Sequence, residues 1–162
     1  MTSTPLYQLL TEFYLERLAL LQRHERSAQV MSQYDINNAY QYVLAREETH
    51  VSWLQHALLD VQAPVPADPP APGPFDAKRG SAGADVARED ARLNEQFIAK
   101  WRDRIEDVTH ARHKGMLKVM LGEMAEQRRF FEQAASGNIN LLGTHLAINA
   151  REGAVLPTRW QE

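Results

Sequence analysis

The chain has no cysteine, which excludes disulfides, thiolate metal sites and a cysteine nucleophile. Glycine is scarce, at 8 of 162 residues, and neither Gly80-Ser81-Ala82-Gly83 nor Gly137 follows a strand-like run. No phosphate-cradling loop is therefore expected. No apolar run is long enough to span a bilayer, and the polar start Met1-Thr2-Ser3-Thr4-Pro5 has no basic region followed by an apolar stretch. Positive charge is not in excess either: 18 Lys and Arg, spread along the chain, stand against 21 Asp and Glu, for a formal charge of -3. That balance leaves no footprint for nucleic acid or anionic lipid. The absences together predict a cytoplasmic protein with neither a nucleic-acid nor a membrane partner.

What is present is helical patterning. With 44% apolar residues, a chain of this length can bury one good core. Leu6, Leu10, Phe13, Leu20, Leu21, Ala28 and Met31 recur at helical spacing, predicting a first helix over residues 5–31 with Pro5 in its first turn. A turn at 32–35 follows, with Asp35 as the expected cap, and a second helix over 36–60 carries Ala39, Val43, Glu47, His50, Leu54 and Ala57 inward.

Residues 62–84 change character, with six prolines between Pro64 and Pro74. Such a segment is neither helix nor central strand. Extended, it reaches roughly 70 Å, whereas a 24-residue helix is about 36 Å long. It can return the chain along a whole helix, and that is the expectation, because neither flanking helix pair alone buries its apolar stripe. A third helix is predicted over 85–108, with Val86, Leu93, Phe97, Trp101 and Ile105, and a fourth over 114–136, with Met116, Leu117, Met120, Leu121, Met124 and Phe131. The stripe shifts by about 100° between them, so a break is expected at 109–114. Residues 1–137 form the bundle. The tail, 138–162, with Leu141, Leu142, Leu146, Ile148 and Trp160, is expected to pack on the bundle or on a partner chain.

Within the second helix, Arg46-Glu47-Glu48-Thr49-His50 places a Glu and a His three residues apart on one face. Two antiparallel hairpins, a long crossover between helices two and three, and this Glu-x-x-His resemble the ferritin-like and rubrerythrin-like superfamily over about residues 5–137. The fold class so implied is all-α, a ferritin-like four-helix bundle. The resemblance also implies a di-iron or di-manganese centre: one Glu each from helices one and three, and a Glu-x-x-His each from helices two and four.

Two registers compete for the remaining ligand positions. One takes Glu16 with Glu47 and His50, and Glu95 with Glu126 and Arg129, but Glu16, Glu95 and Glu126 each point roughly 110–120° from the centre of their apolar stripe. The other follows the stripes and reads Arg17, Glu47, His50, Asn94, Met124 and Gln127. It offers one carboxylate facing an arginine, where two hard cations need several anionic oxygens. In that register Arg17 is the resident cation beside Glu47, and His24, His50, Asn94 and Gln127 complete a buried polar network. Glu123 adds a carboxylate if helix four is rotated. His110 and His113 read as caps or solvent-facing groups, and Met116, Met120 and Met124 as core filling.

The expected function is accordingly that of a ferritin-like bundle protein, a homo-oligomer through an outer helix face or the Trp160 tail, whose di-metal centre is lost and which carries no cofactor. The alternative is an iron- or manganese-dependent oxidoreductase or peroxide-handling protein of the rubrerythrin type, using Glu47 and His50 with Glu16, Glu123 or Glu126. The sequence names no substrate and leaves open whether the protein is an enzyme.

Overall fold

A computed structural model describes residues 4–67, 71–75, 77 and 83–142. They form four helices: α1 (Leu6–Val30), α2 (Tyr34–Asp60), α3 (Gly83–Glu106) and α4 (Ala111–Ala135). The helix ends refine the sequence expectations. Pro5 lies outside α1, its carbonyl accepting from the Gln8 and Leu9 amides. The cap of α2 is Gln33, whose Oε1 accepts from the Ile36 amide at 2.7 Å. Asp35, the expected cap, sits inside the first turn, where its charge suits the helix dipole. Helix α3 begins two residues before the expected position and α4 three residues before. The break between them falls at 107–110, with His110 capping α4 by accepting from the His113 amide. Helix α4 ends at Ala135 with Ser136 as its cap, and the next residue, Gly137, has a φ of 89°, the left-handed conformation glycine tolerates best. The amides of Gly137 and Asn138 return to Ala134 and Gln133. Leu141 and Leu142 pack on the core beyond it, and the tail from residue 143 onward, with Trp160, lies outside the described residues.

Contacts between helices settle their directions. Along α1, Glu12, Glu16 and Arg23 meet Arg104, Trp101 and Asp90 in that order, so α1 and α3 are antiparallel. Along α2, Tyr42, Arg46 and Asp60 meet Phe130, Glu123 and Arg112, so α2 and α4 are antiparallel as well. With α1·α2 and α3·α4 as the two closely packed hairpins, α2 and α3 must point the same way, and the segment between them has to travel the length of the bundle. It does so beside α1. Pro64 and Pro66 lie by Tyr7, Thr11 and Leu15. Further on, Arg26 donates to the Gly73 carbonyl at 2.9 Å, and the Arg23 and Arg26 guanidiniums lie 5.2 and 5.1 Å from the Phe75 ring centre. From Tyr7 to Arg26 is about 28 Å of helix.

The core divides along its length. Toward the α3–α4 turn it is apolar, with Phe13 set edge-on against Phe97 and Trp101 at 5.0 and 4.9 Å and Leu10, Leu54, Leu58, Ile105, Leu117 and Met120 fully buried. Toward the other end, Arg17, His24, Glu47, His50, Asp90 and Asn94 are all 0% exposed.

Candidate functional site

With Gln127 of α4, seven ionisable or amide groups from all four helices lie inside one core and need a physical explanation, because each charge taken from water costs several kcal/mol unless it is paired. Arg17 on α1 makes the central pairing. Its Nη1 donates to Glu47 Oε1 at 3.0 Å, and its Nη2 faces His50 Nδ1 at 3.2 Å and Gln127 Oε1 at 3.4 Å. Guanidinium has only donors, so His50 Nδ1 accepts and Nε2 carries the hydrogen. That Nε2–H donates to Glu123, which also takes Arg46. From the other side His24 Nδ1–H donates to Glu47 Oε1 at 2.6 Å. The chain of contacts therefore runs from buried His24 through Glu47, Arg17 and His50 to Glu123, whose side chain is a quarter exposed.

A second buried carboxylate adjoins this chain. Asp90 accepts from Arg23 Nε at 2.7 Å and from the Tyr40 hydroxyl at 2.5 Å, with His24 Nε2 3.9 Å away. Sequence reasoning passed over Asp90, although it lies in phase with Val86, Asn94 and Trp101 on the α3 stripe. The same reasoning misplaced Asn94. Its Nδ2 donates to the backbone carbonyl of Met124 at 3.4 Å and makes no bond to Arg17, Glu47 or either histidine, because α3 lies flat against α4 and the amide meets that helix first. Glu47 Oε2, Gln127 Nε2, Asn94 Oδ1, Arg17 Nε and His24 Nε2 make no hydrogen bond, so the network is only partly satisfied.

The remaining candidates fall elsewhere. Glu16 turns outward to Lys100 and receives the Trp101 indole N–H at 2.9 Å, Glu126 is exposed, and Glu95 pairs with Arg128 across the surface. Glu48 faces solvent. The interior residues are thus those of the stripe-following register, with Met124 buried beside them. Glu123 joins them from the rim.

Electrostatics follow from the pairings. Burial pushes the Glu47 carboxyl upward, but the charges and hydrogen bonds of His24 and Arg17 outweigh it and hold the group below its ordinary value. Glu123 behaves alike: Arg46 and His50 overcome its partial burial. His50 is pushed down by burial and by Arg17, with Glu123 a lesser opposing influence. On the outer face, hydrogen bonds from Arg104 hold Glu12 down at about 2. The depressed acids contribute stability above their unfolded value near 4.5 that disappears as pH falls through the folded value. The depressed base also costs stability in acid, because the unfolded chain takes up the His50 proton first. Urea midpoints should hold steady from pH 8 to 7, decline from about pH 6.5 and fall more steeply below about 4.5. A midpoint constant from pH 8 to 4 would rule out these protonation states.

With the geometry established, comparison with known proteins adds no constraint. No family model, curated protein or solved structure matches the chain. The donor chemistry itself must decide what the cluster can hold. Among the described residues, no three His, Asp or Glu side chains are placed to hold one metal ion. Facing one another are the Arg17 guanidinium, the Glu47 carboxylate, the His24 and His50 imidazoles and the Gln127 amide, with the Arg46–Glu123 pair at the rim. That set does not fit a di-metal carboxylate centre, because a guanidinium occupies the place where anionic oxygens are needed.

Proposed function

We propose that this chain is a ferritin-like bundle in which an internal ion-pair network takes the place of a di-metal centre, and that it serves as a structural or binding protein instead of a metal-dependent oxidoreductase. The observation that carries the reading is the fully buried contact of Arg17 Nη1 with Glu47 Oε1 at 3.0 Å. A resident cation fixed by the sequence neutralises the one carboxylate that Glu-x-x-His contributes to the interior, and it holds His50 in the tautomer that donates outward. The up-down-down-up helix order with a lengthwise crossover supports the superfamily resemblance. No helix among the described residues is long and apolar enough to cross a membrane.

Metal analysis of protein purified from iron- and manganese-supplemented cells tests the proposal directly. The expected result is well under one metal per chain, and about two per chain would overturn it. Arg17→Glu probes the same point from the other direction. Two facing carboxylates should destabilise the bundle in the absence of metal, and manganese or ferrous iron should raise the melting temperature of the variant while leaving the parent unmoved. A variant that gains nothing from either ion would count against a di-metal ancestry. The rubrerythrin-type alternative draws on one observation, that Glu123 reaches His50 from α4, but Arg46 and Arg17 bind the same two acids that would have to serve as ligands.

A further inference from the structure

The α1–α3 face carries a groove of about 570 Å³, a volume within the range of small-molecule sites. Helix α1 forms one wall and α3 the other, and Gly73 and Pro74 of the crossover close the end beside Arg26. From the Glu16–Lys100 pair at the far end to Arg26, the groove follows α1 for about 15 Å. Ala19, Leu20, Leu93 and Phe97 line its middle. Leu93 belongs to the apolar stripe of α3 in the sequence, yet it is half-buried and lines the groove.

Charge is unevenly balanced along this lining. Five charged side chains contribute to it, and four of them have an opposite charge beside them: Glu16 holds Lys100, Asp90 holds Arg23, and Arg92 holds Glu89. The fifth, Arg26, is half-buried and has no carboxylate partner among the described residues. Its Nη1 donates to the Gly73 carbonyl at 2.9 Å and its Nε makes no hydrogen bond, so most of the five N–H groups of the guanidinium are unused. The Phe75 ring lies against it and, with the Gly73 contact, fixes the cation at the end of the groove. A guanidinium so placed retains its capacity for charge-assisted hydrogen bonds to an oxyanion.

We propose that this groove binds a linear aliphatic carboxylate, with the carboxylate on Arg26 and the chain lying along Leu20, Leu93 and Phe97 toward the Glu16–Lys100 pair. One free guanidinium matches a single negative charge. A dianion such as a phosphate monoester is disfavoured, because Glu16 and Glu89 flank the groove and no second unpaired cation lines it. A long, narrow channel between two packed helices with a charge at one end suits an unbranched apolar chain with a charged head. The inference gives the binding role proposed above a ligand class. The groove lies outside the Arg17–Glu47 pair and ligand binding is read independently of metal content, so either proposal can fail alone.

Calorimetric titration of the full chain with dodecanoate, kept below the concentration at which it forms micelles, tests the proposal. Saturable binding at one site per chain is expected. Dodecanol, which has the same chain without the charge, should bind at least about tenfold more weakly, the worth of one charge-assisted hydrogen bond. Arg26→Met should bring dodecanoate down to the level of dodecanol and leave dodecanol unmoved, whereas Leu93→Gln should weaken both with helical content unchanged. Arg26→Lys should keep part of the preference for the acid. The absence of saturable binding, uptake of several molecules per chain, or a preference for dodecanoate that survives Arg26→Met overturns the proposal. Should Arg26→Met disturb the fold, Leu93→Gln decides it: dodecanoate binding that this variant leaves unchanged places the ligand outside the groove.

Discussion

Arg17→Met is expected to lower the free energy of unfolding by about 3–5 kcal/mol, the usual cost of removing one partner from a buried ion pair. The loss comes less from the missing attraction than from what remains. Glu47, 0% exposed, would keep only the His24 contact at 2.6 Å against the full penalty of its burial, and His50 and Gln127 would each lose a donor. The double variant Arg17→Met/Glu47→Met separates the pair from its setting. Both charges leave together, so its cost should fall short of the sum of the single costs by about 1–3 kcal/mol. Urea unfolding of the parent, both singles and the double completes the cycle. Additive costs would mean that Arg17 and Glu47 are not an energetic unit, which would remove the physical basis for calling Arg17 the resident cation. The partly satisfied atoms of the cluster make the comparison more informative, since an incompletely paired polar core is often no more stable than an apolar one.

The second large effect belongs to the apolar end. Trp101→Ala should cost about 3–5 kcal/mol, because Trp101 is fully buried, holds Phe13 and Phe97 around it, and joins α3 to α1 through its bond to Glu16. Arg104 covers the ring at 4.1 Å, so the cavity left behind would be roofed by side chains that lose their support. Trp101→Phe should recover more than half of the loss, since it keeps an aromatic ring against Phe13 and Phe97. Thermal or urea unfolding distinguishes this from a surface role, in which both variants would sit within about 0.5 kcal/mol of the parent.

These two residues illustrate how unevenly the sequence discloses the molecule. Trp101 is predictable as core because it sits in phase with Phe97 and Ile105, and apolar phase is a property of each helix alone. Arg17, Glu47, His50 and Gln127 are legible for the same reason: a polar residue on an apolar stripe has to be buried. Asp90 carried the same signal on α3. The role of Asn94 was not legible, because whether a buried amide meets a side chain or a neighbouring backbone depends on how closely α3 lies on α4. The caps show the same limit at short range. Gln33 and Asp35 both have a suitable acceptor, and only the backbone path out of α1 decides that Gln33 reaches the Ile36 amide.

The sequence by itself determined the four helices, the break between the last two, a crossover long enough to run lengthwise and most of the polar groups turned inward, since all of these depend on local periodicity, chain reach and composition. Only the tertiary structure decided how those groups pair. Helix ends read from sequence drift by a few residues, which leaves rotation about a helix axis open by about a third of a turn, enough to exchange Glu16 for Arg17 at the centre. That choice is made where four helices pack at once: there Arg17 meets Glu47, His24 closes on the same oxygen, Asp90 draws in Arg23 and Tyr40, and Glu123 reaches His50 from the rim.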